Sequence, residues 1–300
     1  MQGGIFLEDR DWIILQTLYE HKNITKTAQS LYISQPALTA RLQQIEKEFN
    51  TKIVQRTTRG VNFTPQGEFL AKASTDVIHR LRGIKEQVAN LENKVSGTLR
   101  IGASSYLTMY TLPPVLKQFQ VMHPDVEFNL TTTWSKDIFN QVYNHEVHIG
   151  FISSDYGWQD KKHLLFEEPI YVASMEDINF NELPYLPRIN YRSDSLIRGM
   201  IDRWWRENFS VPPLVSMEVE KLATCKEMIK SGLGYAIMPS RILNDLPQSR
   251  KIVLKDKQDN LLLRRTWMIY YGESLEINLL RTFVDFIEQT DFSETCLGNH

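Results

Sequence analysis

Gln35, Thr39 and Gln43 stand four residues apart, behind Ser34 and Pro36 and close to Arg41. Two amides, a hydroxyl and a guanidinium in this pattern are the groups that hydrogen-bond base edges and phosphates in a DNA major groove. The same segment carries Leu38, Leu42, Ile45 and Phe49 at i, i+4, i+7 and i+11, the buried stripe of an amphipathic helix. Ser34 is a good N-cap, and Pro36 falls in the first turn, where a missing N–H costs nothing. Residues 24–31 form a short helix before it, so the pair reads as a helix-turn-helix. The N-terminal end of the second helix in such a pair meets the bases.

A second set of polar residues follows strand-like runs. Ser104 and Ser105 come after Leu99–Ala103, Trp134 and Ser135 after Val126–Thr132, and Ser153 after Val147–Ile152. Helical segments separate these runs, which predicts a mainly parallel sheet. In such sheets ligands bind beyond the carboxyl ends of the strands, and hydroxyls with free helix-start amides suit a small anion such as a carboxylate. Each serine has an alternative role as a helix cap. Trp134 suits a pocket wall or a packing role. Arg192 follows another strand and could grip an anion through a bidentate contact, or pair with Asp194 at the surface.

Other chemistries find little support. His145 and His148 straddle a helix end and a strand, which gives no metal site, and the other histidines are scattered. No nucleophile elbow, phosphate loop or zinc-protease helix is present, and Gly232-Leu233-Gly234 suits a tight turn better than a dinucleotide site. No cofactor is expected, and the chain does not read as an enzyme. The two cysteines, Cys225 and Cys296, are far apart and read as reduced thiols. No apolar run approaches membrane-spanning length and no secretory signal opens the chain, which points to the cytoplasm.

Charge separates the two ends. Residues 22–62 carry seven basic and two acidic side chains, whereas residues 96–300 carry 21 and 26. The first segment suits phosphate and the remainder repels it. Two short strands, Lys52–Arg56 and Val61–Thr64, flank a turn at Gly60. They form a wing on which Arg56 and Arg59 could clamp the DNA backbone. Thr64-Pro65 then opens a long helix. In it Val77, Leu81, Ile84, Val88, Leu91 and Val95 repeat by alternating fours and threes, a heptad seam for dimerisation. The alternative is a helix lying on its own domain. Ser96-Gly97 reads as its left-handed end and the hinge to the next module.

The run Thr25–Glu46, especially Ala28 and Ser34-Gln35-Pro36-Ala37-Leu38, resembles the signature of LysR-type transcriptional regulators. Arg56 and Thr64-Pro65-Gln66-Gly67 fit the same pattern, as do the segment order and Gly232–Pro239. The resemblance implies an α/β multidomain protein: a winged helix-turn-helix (1–66), a dimerising linker helix and hinge (67–97), and a two-lobed effector domain like periplasmic binding proteins (98–300). Lobe 1 would hold residues 98–169 and 268–300, and lobe 2 residues 170–267. It implies double-stranded promoter DNA, a small-molecule effector and RNA polymerase as partners, and a homodimer that pairs into a homotetramer. Carried over by position, Gln35, Pro36 and Thr39 read bases, with Arg56 and Arg59 on the wing. Many relatives have a basic or long polar residue where this chain has Ala40. A DNA-binding architectural protein without an effector is the competing expectation.

Overall fold

The computed structural model describes residues 7–57, 60–89, 95–247 and 250–292. The chain forms two compact units, residues 1–91 and 92–300.

In the first unit, α1 (Asp9–His21), α2 (Ile24–Ser30) and α3 (Gln35–Glu48) precede a two-stranded wing, β1 (Val54–Thr57) and β2 (Gly60–Phe63), and the long α4 (Pro65–Ala89). Ile14, Leu15 and Leu18 meet Leu38, Leu42 and Ile45 in one buried cluster with Ile53 and Val61. This is the apolar stripe of α3 turned inward, except that Phe49 stays at the edge against Trp12. Ser34 caps α3 by accepting from the Ala37 N–H at 3.3 Å, and Thr64 caps α4 by accepting from the Gly67 N–H at 3.0 Å. Gly67 has a second reason to be glycine: a Cβ there would lie 2.0 Å from the Ile53 carbonyl oxygen. The first turns of α4 bury Leu70, Ala71 and Ser74, whereas Ile84 and Val88 further along are exposed.

In the second unit, β3 (Gly97–Ala103), α5 (Ser105–Tyr110), α6 (Leu112–Met122), β4 (Val126–Thr132), α7 (Ser135–Tyr143) and β5 (Ile149–Ile152) build one lobe. The long β6 (Lys161–Ala173) leads to the other lobe. There follow β7 (Arg188–Tyr191), α8 (Ser195–Asn208), β8 (Val215–Val219), α9 (Leu222–Lys230), β9 (Ala236–Pro239) and β10 (Lys251–Val253). Finally β11 (Leu263–Tyr270) returns, and α10 (Asn278–Gln289) packs on the first lobe through Leu280, Phe283 and Ile287.

The sheet departs from the mainly parallel expectation. β3 pairs in parallel with β4 and β5, but β11 joins β5 antiparallel, and β6 pairs antiparallel with β11, β9 and β10. The reason is that the chain crosses between lobes twice, out along β6 and back along β11. These strands run side by side in opposite directions and belong to both lobes, so no single residue divides them. Among the described residues, β7 and β8 repeat the parallel pattern in the second lobe. Gly97 also differs from its expected place: with φ of +109° it opens β3 rather than closing a helix.

Trp204 and Trp205 are buried in the second lobe's core with Ile201 and Tyr235. His148 accepts the Arg100 N–H through Nδ1, and His145 stacks on Tyr271, so both have structural partners.

Candidate DNA-reading face and effector cavity

On the first unit, the N-terminal half of α3 presents Gln35, Pro36 and Ala40 to solvent, with Gln43 one turn further and Thr39 half-buried between them. The Thr25 hydroxyl donates to the Gln35 side-chain oxygen at 3.2 Å. That contact engages the amide group through its oxygen. Tyr32, in the turn before α3, is 96% exposed with a left-handed φ of +54°. Nothing in the sequence singles it out, since a tyrosine in a turn carries no motif.

Arg41 has partners within the first unit. Its guanidinium makes a two-pronged contact with the Asp11 carboxylate, in which Nη2 reaches Oδ2 at 2.6 Å, and it also meets Glu8 at 3.3 Å. Asp11 is fully buried. The hydrogen bond to Asp11 is the main cause that raises the Arg41 pKa above its ordinary value. Arg41 therefore ties α3 to α1. Arg59 and Leu91 lie outside the described residues, as does Cys296; for Arg56 only the backbone in β1 is described.

In the second unit, Ser104, Ser105, Trp134, Ser135, Ser153 and Arg192 all line one cavity of about 360 Å³ between the lobes. Strand ends place them there. Ser104 follows β3 and caps α5, Ser135 starts α7 after β4, Ser153 follows β5, and Arg192 follows β7. Arg192 does not pair with Asp194 at the surface: its guanidinium lies over the Trp134 ring at 5.1 Å, a cation–π contact across the cavity. Ser135 and Ser153 are buried, and the Ser153 N–H donates to the Ser135 hydroxyl oxygen at 3.1 Å.

Three residues that the sequence pattern does not assign to the site complete the wall. Arg264 on β11 is buried, donates to the Ser153 hydroxyl at 2.7 Å and pairs with Glu168 on β6 at 3.3 Å. Tyr106 donates to the same Glu168 at 3.1 Å. Arg264 and Glu168 are direct cross-strand partners, so this ion pair pins the two crossing strands at the cavity floor. The third residue is Asp194. It occupies the N-cap position of α8, yet its side chain does not cap that helix. Instead it accepts the Ser135 N–H of α7 at 3.3 Å and the Tyr156 hydroxyl. Trp134, the N-cap residue of α7, has no side-chain acceptor in that role. A carboxylate from one lobe thus caps a helix of the other. Burial, with the Asp194 hydrogen bond second, raises the Tyr156 pKa far above its usual value, which keeps the hydroxyl a donor. An aspartate directly before a helix is a readable sign of a cap. Which helix it caps is decided only in three dimensions.

Among the described residues no cluster of metal-ligating side chains occurs, and no helix is long and apolar enough to cross a membrane.

Comparison with known proteins agrees over nearly the whole chain. Residues 10–68 match the bacterial regulatory helix-turn-helix of the LysR family, and residues 92–291 match the LysR substrate binding domain. The HTH-type transcriptional regulator YraN of Bacillus subtilis is 34% identical over 282 residues, covering 94% of this chain and 98% of its own. YkuM of the same organism is 34% identical over 280 residues, covering 92% and 94%. Among solved structures, a full-length OxyR variant from Pseudomonas aeruginosa aligns with a TM-score of 0.65 at 18% identity, covering 96% of each chain. Full-length CbnR complexed with its target DNA aligns with a TM-score of 0.63 at 14% identity, covering 94% of this chain and 99% of that one. With a winged helix-turn-helix at one end, a two-lobed effector-binding domain at the other and family matches over both, the chain belongs to the LysR family of DNA-binding transcriptional regulators.

Proposed function

We propose that this regulator senses a small anionic metabolite in the cavity between its lobes and reads promoter DNA with the exposed face of α3. The observation that carries the sensing half is the cavity wall. Ser104, Ser135 and Ser153 converge on it from three strand ends, with Arg192 and Arg264 beside them. Hydroxyl donors and guanidinium groups around a cavity of about 360 Å³ suit a carboxylate on a compact body. Asp194 is part of the response. A ligand carboxylate at the start of α7 competes with it, and release of Asp194 loosens the bond between lobes. An effector acts only through its different affinity for the two arrangements.

For DNA, the solved CbnR complex with target DNA has the same fold as this chain, which supports the reading that α3 enters a groove. Gln35, Pro36, Thr39 and Gln43 are the base-facing group, Ser34 orders the helix start, and Arg56 and Arg59 reach the backbone from the wing. Ala40 offers a methyl group suited to thymine. The exposed Ile84 and Val88 continue a seam with Val77, Leu81 and Leu91, and two copies of α4 pair along it. The dimer reads an interrupted palindrome, and dimers join into tetramers. A change of lobe arrangement alters the spacing of the reading heads, the bend of the promoter and the recruitment of RNA polymerase.

The test is a thermal-shift screen of carboxylates, phosphates, amines and neutral sugars on the full chain, followed by promoter footprinting. A carboxylate that stabilises the parent, loses its effect in Ser135→Ala and changes the footprint supports the proposal. Stabilisation by amines or neutral compounds alone refutes the anionic effector. An unchanged footprint with bound effector refutes the coupling.

A further inference from the structure

The second lobe holds another cavity, of about 600 Å³, beside the effector cleft. Arg188, Asn190, Ser193, Arg198 and Ile201 are among its walls. Arg188 is the unusual member. It is only 8% exposed, and its Nε is buried without a hydrogen-bond partner. Among the described residues no carboxylate lies within ion-pairing distance of it. Its guanidinium rests over the Trp205 ring at 5.3 Å, which supports the flat face of the group and leaves the N–H edge unused. Burial lowers its pKa below the ordinary arginine value, the sign of a charge short of compensation.

The backbone holds this residue in place. Its N–H donates to the Leu214 carbonyl at 2.8 Å, its carbonyl accepts from Ser216, and the register of β7 against β8 shifts between Arg188 and Ile189. Such an irregularity re-aims a side chain. Three acids share the cavity wall, and the Asp202 charge acts on Arg188 from a distance, but none of them forms an ion pair with it. Asp202 pairs with Arg198 at 3.9 Å, and Glu218 and Glu220 are exposed, where water screens them.

We infer that this second cavity is an anion-binding site, distinct from the effector cleft, in which the Arg188 edge receives a small carboxylate or phosphate oxyanion. A guanidinium edge matches the paired oxygens of either group, and burial strengthens the contact. Arg198, Asn190 and Ser193 line the remaining space, together with the exposed carboxylates of Asp202, Glu218 and Glu220. Tyr191, Arg192, Ser193 and Glu220 line both cavities and form the partition between the two ligands.

The experiment titrates the full-length protein with inorganic phosphate and, separately, acetate, against chloride at matched ionic strength. Binding is read by calorimetry and melting temperature in the parent, Arg188→Met, Arg188→Lys and Ser135→Ala. Phosphate or acetate binds the parent saturably and beyond chloride, and the stronger of the two names the class. Arg188→Met weakens that binding about tenfold or more, as loss of a charged hydrogen-bond donor would. Ser135→Ala leaves the part of that binding lost in Arg188→Met unchanged, which separates this site from the cleft. Without added anion Arg188→Met melts no lower than the parent, because removing an uncompensated buried charge offsets the lost ring contact. The inference is overturned if neither anion exceeds chloride in the parent, or if Arg188→Met binds as the parent does. Equal loss in Ser135→Ala also overturns it, since the anion then sits in the cleft. Should Arg188→Met not fold, Arg188→Lys decides: unchanged anion affinity there rejects the guanidinium edge as the receptor, and weakened affinity supports it.

Discussion

Two polar side chains six residues apart on α3 have opposite fates. Gln35 is exposed and held only through its oxygen by Thr25, while Arg41 is tied to a fully buried carboxylate. Gln35→Ala should therefore leave the melting temperature unchanged and relax base preference at one operator position, at a cost of roughly 1–3 kcal/mol in specific binding. Arg41→Ala should do the reverse. It strands Asp11, which keeps only the Glu8 N–H, and should destabilise the DNA-binding unit by about 2 kcal/mol. Thermal melts paired with operator-variant binding assays separate the two; a Gln35→Ala protein that keeps full base preference would contradict the reading of α3. Cys225 makes another residue-level point. Burial pushes its thiol up to about 12, so almost no thiolate exists near neutral pH. In a Cys296→Ser background, alkylation of folded protein at pH 8 should be far slower than in denaturant. Rapid labelling of the folded protein would show that the residue is not sealed in the core.

At the scale of elements, two helix starts decide much of the architecture. Gly67 sits where α4 passes the Ile53 carbonyl, and any Cβ collides with backbone that cannot give way. Gly67→Ala should cost at least about 2 kcal/mol. Gly83, further along the same helix, has nothing within 4 Å of the point where a Cβ would stand, so Gly83→Ala should stabilise by up to about 1 kcal/mol. Opposite shifts in denaturation midpoint would verify both. The start of α7 depends on the other lobe. Asp194→Ala should leave the Ser135 N–H without its acceptor and speed hydrogen exchange over the first turn of α7 about fivefold, the equivalent of losing one cap. If exchange there is unchanged, the capping across lobes does not hold in solution.

For the whole molecule, the exposed apolar residues of α4 matter most. Ile84 is 47% and Val88 61% exposed, on a helix whose first turns are packed against its own unit. Ile84→Glu with Val88→Glu should convert the proposed dimer to monomers in sedimentation and weaken operator binding, while melting of the second unit stays as in the parent. A dimer that survives both charges would place the interface elsewhere.

Much of this was legible from residue types and spacing. The stripe Leu38, Leu42, Ile45 is a local periodicity, and Ser34 and Thr64 are caps whose partners lie three residues away. Such features follow from chain geometry within a turn or two, so the order of residues determines them. The serines after β3, β4 and β5 were also visible, because strand ends are local. Tertiary structure decided the rest. Arg41 meets Asp11 across 30 positions, Asp194 meets Ser135 across 59, and Arg264 meets Glu168 across 96. A charged side chain takes whichever partner burial brings within reach, and its neighbours in the chain do not encode that choice. The same holds for the antiparallel pairing of β6 with β11, which exists because the chain crosses between lobes twice.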